Sequence, residues 1–136
     1  MMTRRVQVGW LLGGDVLAIF VVTMAGFMTH YGAIKDWRWL TTFLPVLAAW
    51  FAIAPWVGVF RSDLASQPRQ LWRPVLAALL SAPLAATLRG AWLNAAILPL
   101  FVVILGLTNA LGLLIWRGIW VVVVQRANRQ VGTAHG

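Results

Sequence analysis

The sequence contains no cysteine, and only 10% of its 136 residues are charged. The absence of cysteine excludes disulfides, thiolate metal ligands and cysteine nucleophiles. Soluble domains average about 25% charged and about 45–50% apolar residues, whereas 61% of this chain is apolar and its mean hydropathy is +0.82. The composition therefore indicates an integral membrane protein.

The sequence also lacks the motifs of the common enzyme classes. It has no HExxH motif, no phosphate-binding loop and no strand-led glycine-rich motif. Asp36 and Asp63 fall in predicted loops on opposite sides of the membrane, so no carboxylate pair for acid–base catalysis is expected. His30 has no second ligand in helical register and is interpreted as an interfacial histidine. We therefore expect a non-catalytic protein without a cofactor or a metal.

Four apolar runs predict the fold. They cover about residues 8–28, 39–60, 73–92 and 95–124. The first three are close to the roughly 20 residues that a membrane-spanning helix needs, and the fourth is longer, so it is expected to tilt or to emerge from the bilayer. We predict an all-α fold: one integral membrane domain over residues 1–136, built as an antiparallel bundle of four transmembrane helices. The polar segment 125–136 is predicted to be a frayed tail.

Positive charge predicts the orientation of the bundle, because cytoplasmic loops are enriched in arginine and lysine. With four spans, one side of the membrane holds Arg4, Arg5, Arg61, Arg69, Arg73, Arg126 and Arg129, and the other holds Lys35, Arg38 and Arg89. Both termini are therefore predicted to be cytoplasmic, in a multi-pass protein of the inner (plasma) membrane. The arginines are spread between apolar runs, which argues against nucleic-acid binding. The expected partner is the lipid bilayer, with a homo-oligomer or a larger membrane complex left open.

Asp15 is the most informative residue of the first span. A carboxylate near the centre of a membrane helix costs roughly 2.5–3.5 kcal/mol. At about 1.5 Å per residue, Asp15 lies roughly 15 Å above Arg5, and Arg117 lies roughly 13–14 Å above Arg126. An acid and a base are thus predicted at similar depth, which favours an ion pair. The alternative is that Arg117 extends to the headgroups and Asp15 is protonated or hydrogen-bonded.

Further polar residues extend the prediction to an intramembrane polar cluster of Asp15, Arg117, Arg89, Asn109 and Thr108. Asn109 and Thr108 lie in the middle of the fourth span, where an amide commonly bonds to a neighbouring helix. Arg89 ends the third span, as either an interfacial cation or the cap of a polar cavity. Small residues are expected to permit close helix contact, at Gly9-x-x-x-Gly13 with Gly14 and Ala18, at Gly106 and Ala110, and along the alanine-rich third span.

Several short motifs resemble a known family. They are Gly14-Asp15, His30, Pro45…Trp50…Pro55, Arg73-Pro74, Pro83…Arg89 and Trp116-Arg117. Together they resemble a family of small, uncharacterised four-helix membrane proteins of bacteria and archaea that bears a domain-of-unknown-function label. The resemblance covers nearly the whole chain, implies a helical membrane protein and marks Asp15, Arg89 and Arg117 as family-like positions. It implies no activity, substrate or cofactor.

Two classes of function remain open from the sequence. The first is a non-catalytic accessory or assembling membrane protein, favoured by the small-residue faces, the interfacial tryptophans and the lack of catalytic motifs. The second is a small proton-coupled or small-solute transporter, favoured by an acid and a base inside the bilayer. Four helices are few for alternating access, so such a transporter would work as an oligomer.

Overall fold

The part of the chain that the structure describes is built around four long helices. The computed structural model describes residues 4–31, 39–61, 65 and 67–134. Helix α1 is Arg4–Tyr31, α2 is Leu40–Val57, α3 is Trp72–Leu93 and α4 is Pro99–Ala134, with a short 3-10 turn at Pro68–Gln70 before α3. No strand occurs among these residues, which confirms the all-α prediction.

The helices form an antiparallel bundle. Helix α3 packs extensively against both α2 and α4, while α1 packs against α4 and, less closely, against α2. Arg89 near the end of α3 bonds to Thr42 at the start of α2, and Arg73 at the start of α3 bonds to Val57 at the end of α2. These two contacts fix α2 and α3 in opposite directions.

Small residues line the centre of the bundle, as the sequence predicted. The alanines at one face of α3 are buried, among them Ala78, Ala82 and Ala85. A Cβ added to Gly106 of α4 would lie 3.2 Å from the Cβ of Ala82, so the two backbones approach as closely as small residues allow. Trp50 is 1% exposed, so its side chain packs inside the bundle.

The outer surface of the helices is apolar. All four are long and apolar enough to cross a membrane, yet only 22% to 39% of each spanning window is buried inside the protein. The exposed remainder is rich in Leu, Val, Ile and Trp, the surface that lipid covers in a membrane protein. The fold is therefore that of a multi-pass membrane protein.

The helix bounds differ from the predicted spans by a few residues at most ends. Helix α2 stops at Val57 instead of residue 60, because Gly58 adopts a left-handed conformation with φ 80°. Asn94, with φ 51°, ends α3, and α4 begins at Pro99, where proline suits a first turn. The polar segment predicted as a tail over residues 125–136 continues α4 as far as Ala134.

Some predictions lie outside the described residues. The loop that carries Lys35, Asp36, Trp37 and Arg38 is one, Asp63 is another, and so is the side chain of His30. Among the other tryptophans predicted at the interfaces, Trp39 is half-buried. The rest are largely exposed, namely Trp10, Trp56, Trp72 and Trp92.

Candidate functional site

Asp15 of α1 and Arg117 of α4 form a bidentate ion pair. Arg117 Nε donates to Asp15 Oδ1 at 2.9 Å, and Nη2 donates to Oδ2 at 2.6 Å. The two side chains are 0% and 2% exposed. Planar, parallel donation to both carboxylate oxygens is the strongest geometry available to an arginine. The structure thus contains the ion pair that the depths of the two residues predicted.

Arg117 also binds the end of α2. Its Nη1 donates to the carbonyl oxygen of Val59 at 2.9 Å, and its guanidinium carbon lies 5.7 Å from the centre of the Phe60 ring. Val59 N–H bonds back to the Ala54 carbonyl across the left-handed Gly58, a common way for a helix to end. The terminal carbonyls carry partial negative charge, so a cation there is electrostatically favoured.

A second arginine stabilises the same helix end. Arg73 Nη1 donates to the Val57 carbonyl at 2.6 Å, and its Nε donates to Gln70 Oε1 at 2.7 Å. A helix leaves its last carbonyls without intrahelical partners. In the apolar part of a membrane, such groups need partners from the protein. Arg73 supplies one to Val57, the last residue of α2, and Arg117 supplies one to Val59 in the turn that follows.

Two tryptophans flank the Asp15 carboxylate. The indole N–H groups of Trp50 and Trp116 lie beside it, but neither reaches strict hydrogen-bond geometry, and both nitrogens are buried without a partner in the described part of the chain. The indole of Trp116 packs directly on Gly14, so closely that a Cβ added at that position would overlap the ring. Gly14 therefore lets Trp116 approach the backbone next to Asp15.

The local sequence explains why Asp15 faces inward. The buried residues of α1 recur every fourth position, at Leu11, Asp15, Ile19 and Thr23, which places them on one face of a helix. That face packs on α4 in an antiparallel register: Asp15 meets Arg117, and Gly112 packs on Val22. Asp15 therefore faces the bundle because it lies on the same helix face as the apolar residues Leu11 and Ile19, which are buried there.

The same register creates a second polar level in the bundle. Thr23 is eight residues after Asp15 and Asn109 is eight residues before Arg117, so the two lie level with each other about two helical turns above the ion pair. Thr23 Oγ1 donates to Ile19 O at 2.8 Å, and Asn109 Nδ2 donates to Leu105 O at 2.9 Å. Among the described residues, Asn109 Oδ1 is buried without a partner.

The other two members of the predicted polar cluster lie elsewhere. Thr108 is exposed and its hydroxyl donates to carbonyls of its own helix. Arg89 Nε donates to Thr42 Oγ1 at 3.1 Å, and its guanidinium lies 4.8 Å from the Phe101 ring. Arg89 contacts Thr42 in the first turn of α2, whereas Arg117 contacts Val59 just after its end. The two arginines are therefore about 25 Å apart along the bundle. The five residues therefore do not form one cluster.

Sequence reasoning missed three contributors to the site. The carbonyl of Val59 could not be recognised, because every residue has one and only the turn at Gly58 directs it inward. Trp116 precedes Arg117 and Trp50 lies in the middle of the predicted second span, but nothing in the spacing indicated that either indole would face Asp15. Gly58, a residue type that commonly ends helices, was the one feature of the sequence that could have indicated the turn at Val59.

A small crevice reaches Arg117 from the end of the bundle where α1 begins and α4 ends. It lies between the end of α2 and the start of α3 and has room for about one water molecule, with a volume of about 10 Å³. Its lining includes Gly58, Val59, Gln70, Arg73 and Arg117. Within the described ranges, no three His, Cys or acidic side chains group together as metal ligands would.

Comparison with known proteins gives one family. A family model described as "Protein of unknown function (DUF3054)" matches residues 12–120, a range that includes Asp15, Arg89 and Arg117. No curated protein and no solved structure matches the chain. The resemblance to an uncharacterised family is thereby confirmed.

Proposed function

The chain belongs to the DUF3054 family of proteins of unknown function, and from that premise we propose that it is a non-catalytic accessory or assembling membrane protein. In this role, Asp15 and Arg117 are a structural ion pair that joins α1, α4 and the end of α2. The bundle then presents its exposed apolar helix faces to lipid and to partner proteins in the plasma membrane, with both termini cytoplasmic.

The completeness of the ion pair supports this proposal. Both oxygens of Asp15 and three nitrogens of Arg117 are bonded within the chain, and neither side chain is exposed. A carboxylate that carries protons across a membrane must exchange them with water on each side. A pair that holds three helical segments together cannot open without breaking those contacts, which are expensive to lose inside a bilayer.

Proton flux in vesicles tests the proposal. The full chain is reconstituted into vesicles that contain a pH-sensitive dye, and flux is driven by a pH gradient, with wild type, Asp15→Asn and empty vesicles compared. We expect wild-type flux equal to that of empty vesicles, and an Asp15→Asn variant whose only change is a lower thermal midpoint. Thr108→Val is the control, since its exposed hydroxyl contacts only its own helix.

A small proton-coupled or small-solute transporter is the second candidate, and two observations favour it. The crevice at the end of α2 ends on Arg117, and the indole nitrogens beside Asp15 are left without partners among the described residues. Such a protein would work as an oligomer. Wild-type proton flux above the background of empty vesicles that disappears in Asp15→Asn, in a variant that still folds, would favour the transporter over the structural ion pair.

A further inference from the structure

An apolar groove runs along the outside of α1, next to α4. It has a volume of about 500 Å³ and is lined by Val6, Gly9, Trp10, Gly13, Gly14, Leu17 and Trp116. From Val6 to Leu17 it extends roughly 16 Å along the helix. The hydrocarbon core of a bilayer is about 30 Å thick, so the groove has the length of one leaflet.

The glycines leave this groove open. No described atom lies within 4 Å of a Cβ added to Gly9 or Gly13, so neither glycine contacts another helix of the chain. The Gly9-x-x-x-Gly13 spacing was expected to let a helix approach Asp15, but Gly14 alone has that role. The backbone at Gly9 and Gly13 instead faces outward, where a ligand can lie against it.

Two arginines lie level with one end of the groove, although neither lines it. Val6 is nine residues before Asp15 and Arg126 is nine residues after Arg117, so the antiparallel register places Arg126 level with Val6. Arg5 is the neighbour of Val6 in the chain, and both arginines are exposed. Trp10, 60% exposed, lies one turn deeper, as tryptophans near the headgroups commonly do.

We propose that this groove binds one acyl chain of an anionic phospholipid whose phosphate contacts Arg126. The apolar lining and one-leaflet length suit the chain, and the exposed arginines suit the phosphate. A helix from a second copy suits the groove less well. Parallel packing of two α1 helices across Gly9 and Gly13 would bring the two Arg5 residues together, where like charges repel. The proposal does not depend on the role of the Asp15–Arg117 pair.

Lipid titration of the purified full chain tests the proposal. Native mass spectrometry is used to follow binding of dioleoylphosphatidylglycerol, which is anionic, and dioleoylphosphatidylcholine, which is zwitterionic. We expect the first phosphatidylglycerol to bind more tightly than phosphatidylcholine. Arg126→Gln should weaken phosphatidylglycerol about fivefold and leave phosphatidylcholine unchanged. Arg69→Gln, which removes an exposed arginine from the connection between α2 and α3, should change neither.

Glycine substitutions test the acyl-chain part of the site. Gly13→Leu fills the groove and should weaken both lipids, whereas Gly26→Leu adds the same bulk to an open position of α1 outside the groove and should weaken neither. Gly9→Leu is a second filling variant in case Gly13→Leu does not fold, as judged by its thermal midpoint.

Three results would overturn the proposal. One is equal lipid affinity for Gly13→Leu, Gly9→Leu and Gly26→Leu. Another is equal binding of the two lipids in wild type with no difference between Arg126→Gln and Arg69→Gln. The third is a dimer in the wild-type spectrum that the groove-filling variants abolish, because the occupant would then be a second copy of the chain.

Discussion

Asp15 and Arg117 are 102 residues apart in the sequence and lie at one level of the α1–α4 interface, joined by two parallel hydrogen bonds. The contact connects the helix that packs least against the rest of the bundle to the helix that extends furthest along it. Its third bond, to Val59, extends the connection to α2. Loss of the pair should therefore loosen α1 first.

A double-mutant cycle measures the ion pair. Asp15→Leu and Arg117→Met each leave one buried charge without its partner, and each should reduce the free energy of unfolding by about 3–5 kcal/mol. The double variant should lose much less than the sum, because both charges are gone. Unfolding in detergent, followed by circular dichroism, gives the coupling energy. Additive losses would show that the two residues do not stabilise each other.

Replacement of Arg117 by lysine separates charge from geometry. Arg117→Lys keeps the positive charge, but one ammonium cannot bond both Asp15 oxygens and Val59 O in the planar arrangement of a guanidinium. We expect a lower thermal midpoint than wild type and a higher one than Arg117→Met. A variant with wild-type stability would mean that charge alone is sufficient at this position.

Alanine substitutions at adjacent glycines should have opposite effects. Gly14→Ala places a methyl group in the Trp116 indole and should cost about 1–3 kcal/mol. Gly13→Ala meets open space and should stabilise α1 by up to about 1 kcal/mol, since alanine loses less backbone entropy. Thermal midpoints of the two variants test this difference, and equal midpoints would contradict the packing of Trp116 on Gly14.

The turn after α2 requires glycine. Gly58→Ala places a Cβ in a left-handed conformation, at about 1–2 kcal/mol, and 2.9 Å from Arg73 Nη1. It should therefore disturb both the turn and the bond from Arg73 to Val57. The matched control is Gly118→Ala in α4, where an added Cβ has no described neighbour within 4 Å. Chemical denaturation compares the two, and a neutral Gly58→Ala would argue against the observed turn.

Asn109 provides a test of the second polar level. Its Oδ1 is buried without a partner among the described residues, so Asn109→Leu removes an unsatisfied acceptor and should leave stability unchanged or raise it. Thr23→Val, on the facing helix, should have an effect of less than about 1 kcal/mol. Both are measured as shifts in thermal midpoint. A clear loss in Asn109→Leu would indicate that the amide binds a group from outside the chain, such as a water molecule.

Much of the candidate site followed from helix geometry. The helical rise of about 1.5 Å per residue predicted that Asp15 and Arg117 lie at similar depth. Leu11, Asp15 and Ile19 are four residues apart, so they share one face of α1. The same reasoning failed for Arg89. Its small-residue face did turn inward, but Arg89 lies at the opposite end of the bundle from the ion pair, about 25 Å along the helices from Arg117.

The sequence by itself determined the helices, their number and the need for Asp15 to find a partner, because hydrophobic length and the cost of a charge in lipid are properties of single segments. Only the tertiary structure decided which groups complete the site and which glycine lets a neighbouring helix approach. These details depend on the rotation of each helix about its axis. The rotation decides that the Val59 carbonyl and the indoles of Trp50 and Trp116 face Asp15 and Arg117, and that Gly14 rather than Gly13 contacts α4. That rotation is set by packing between segments, which no single segment encodes.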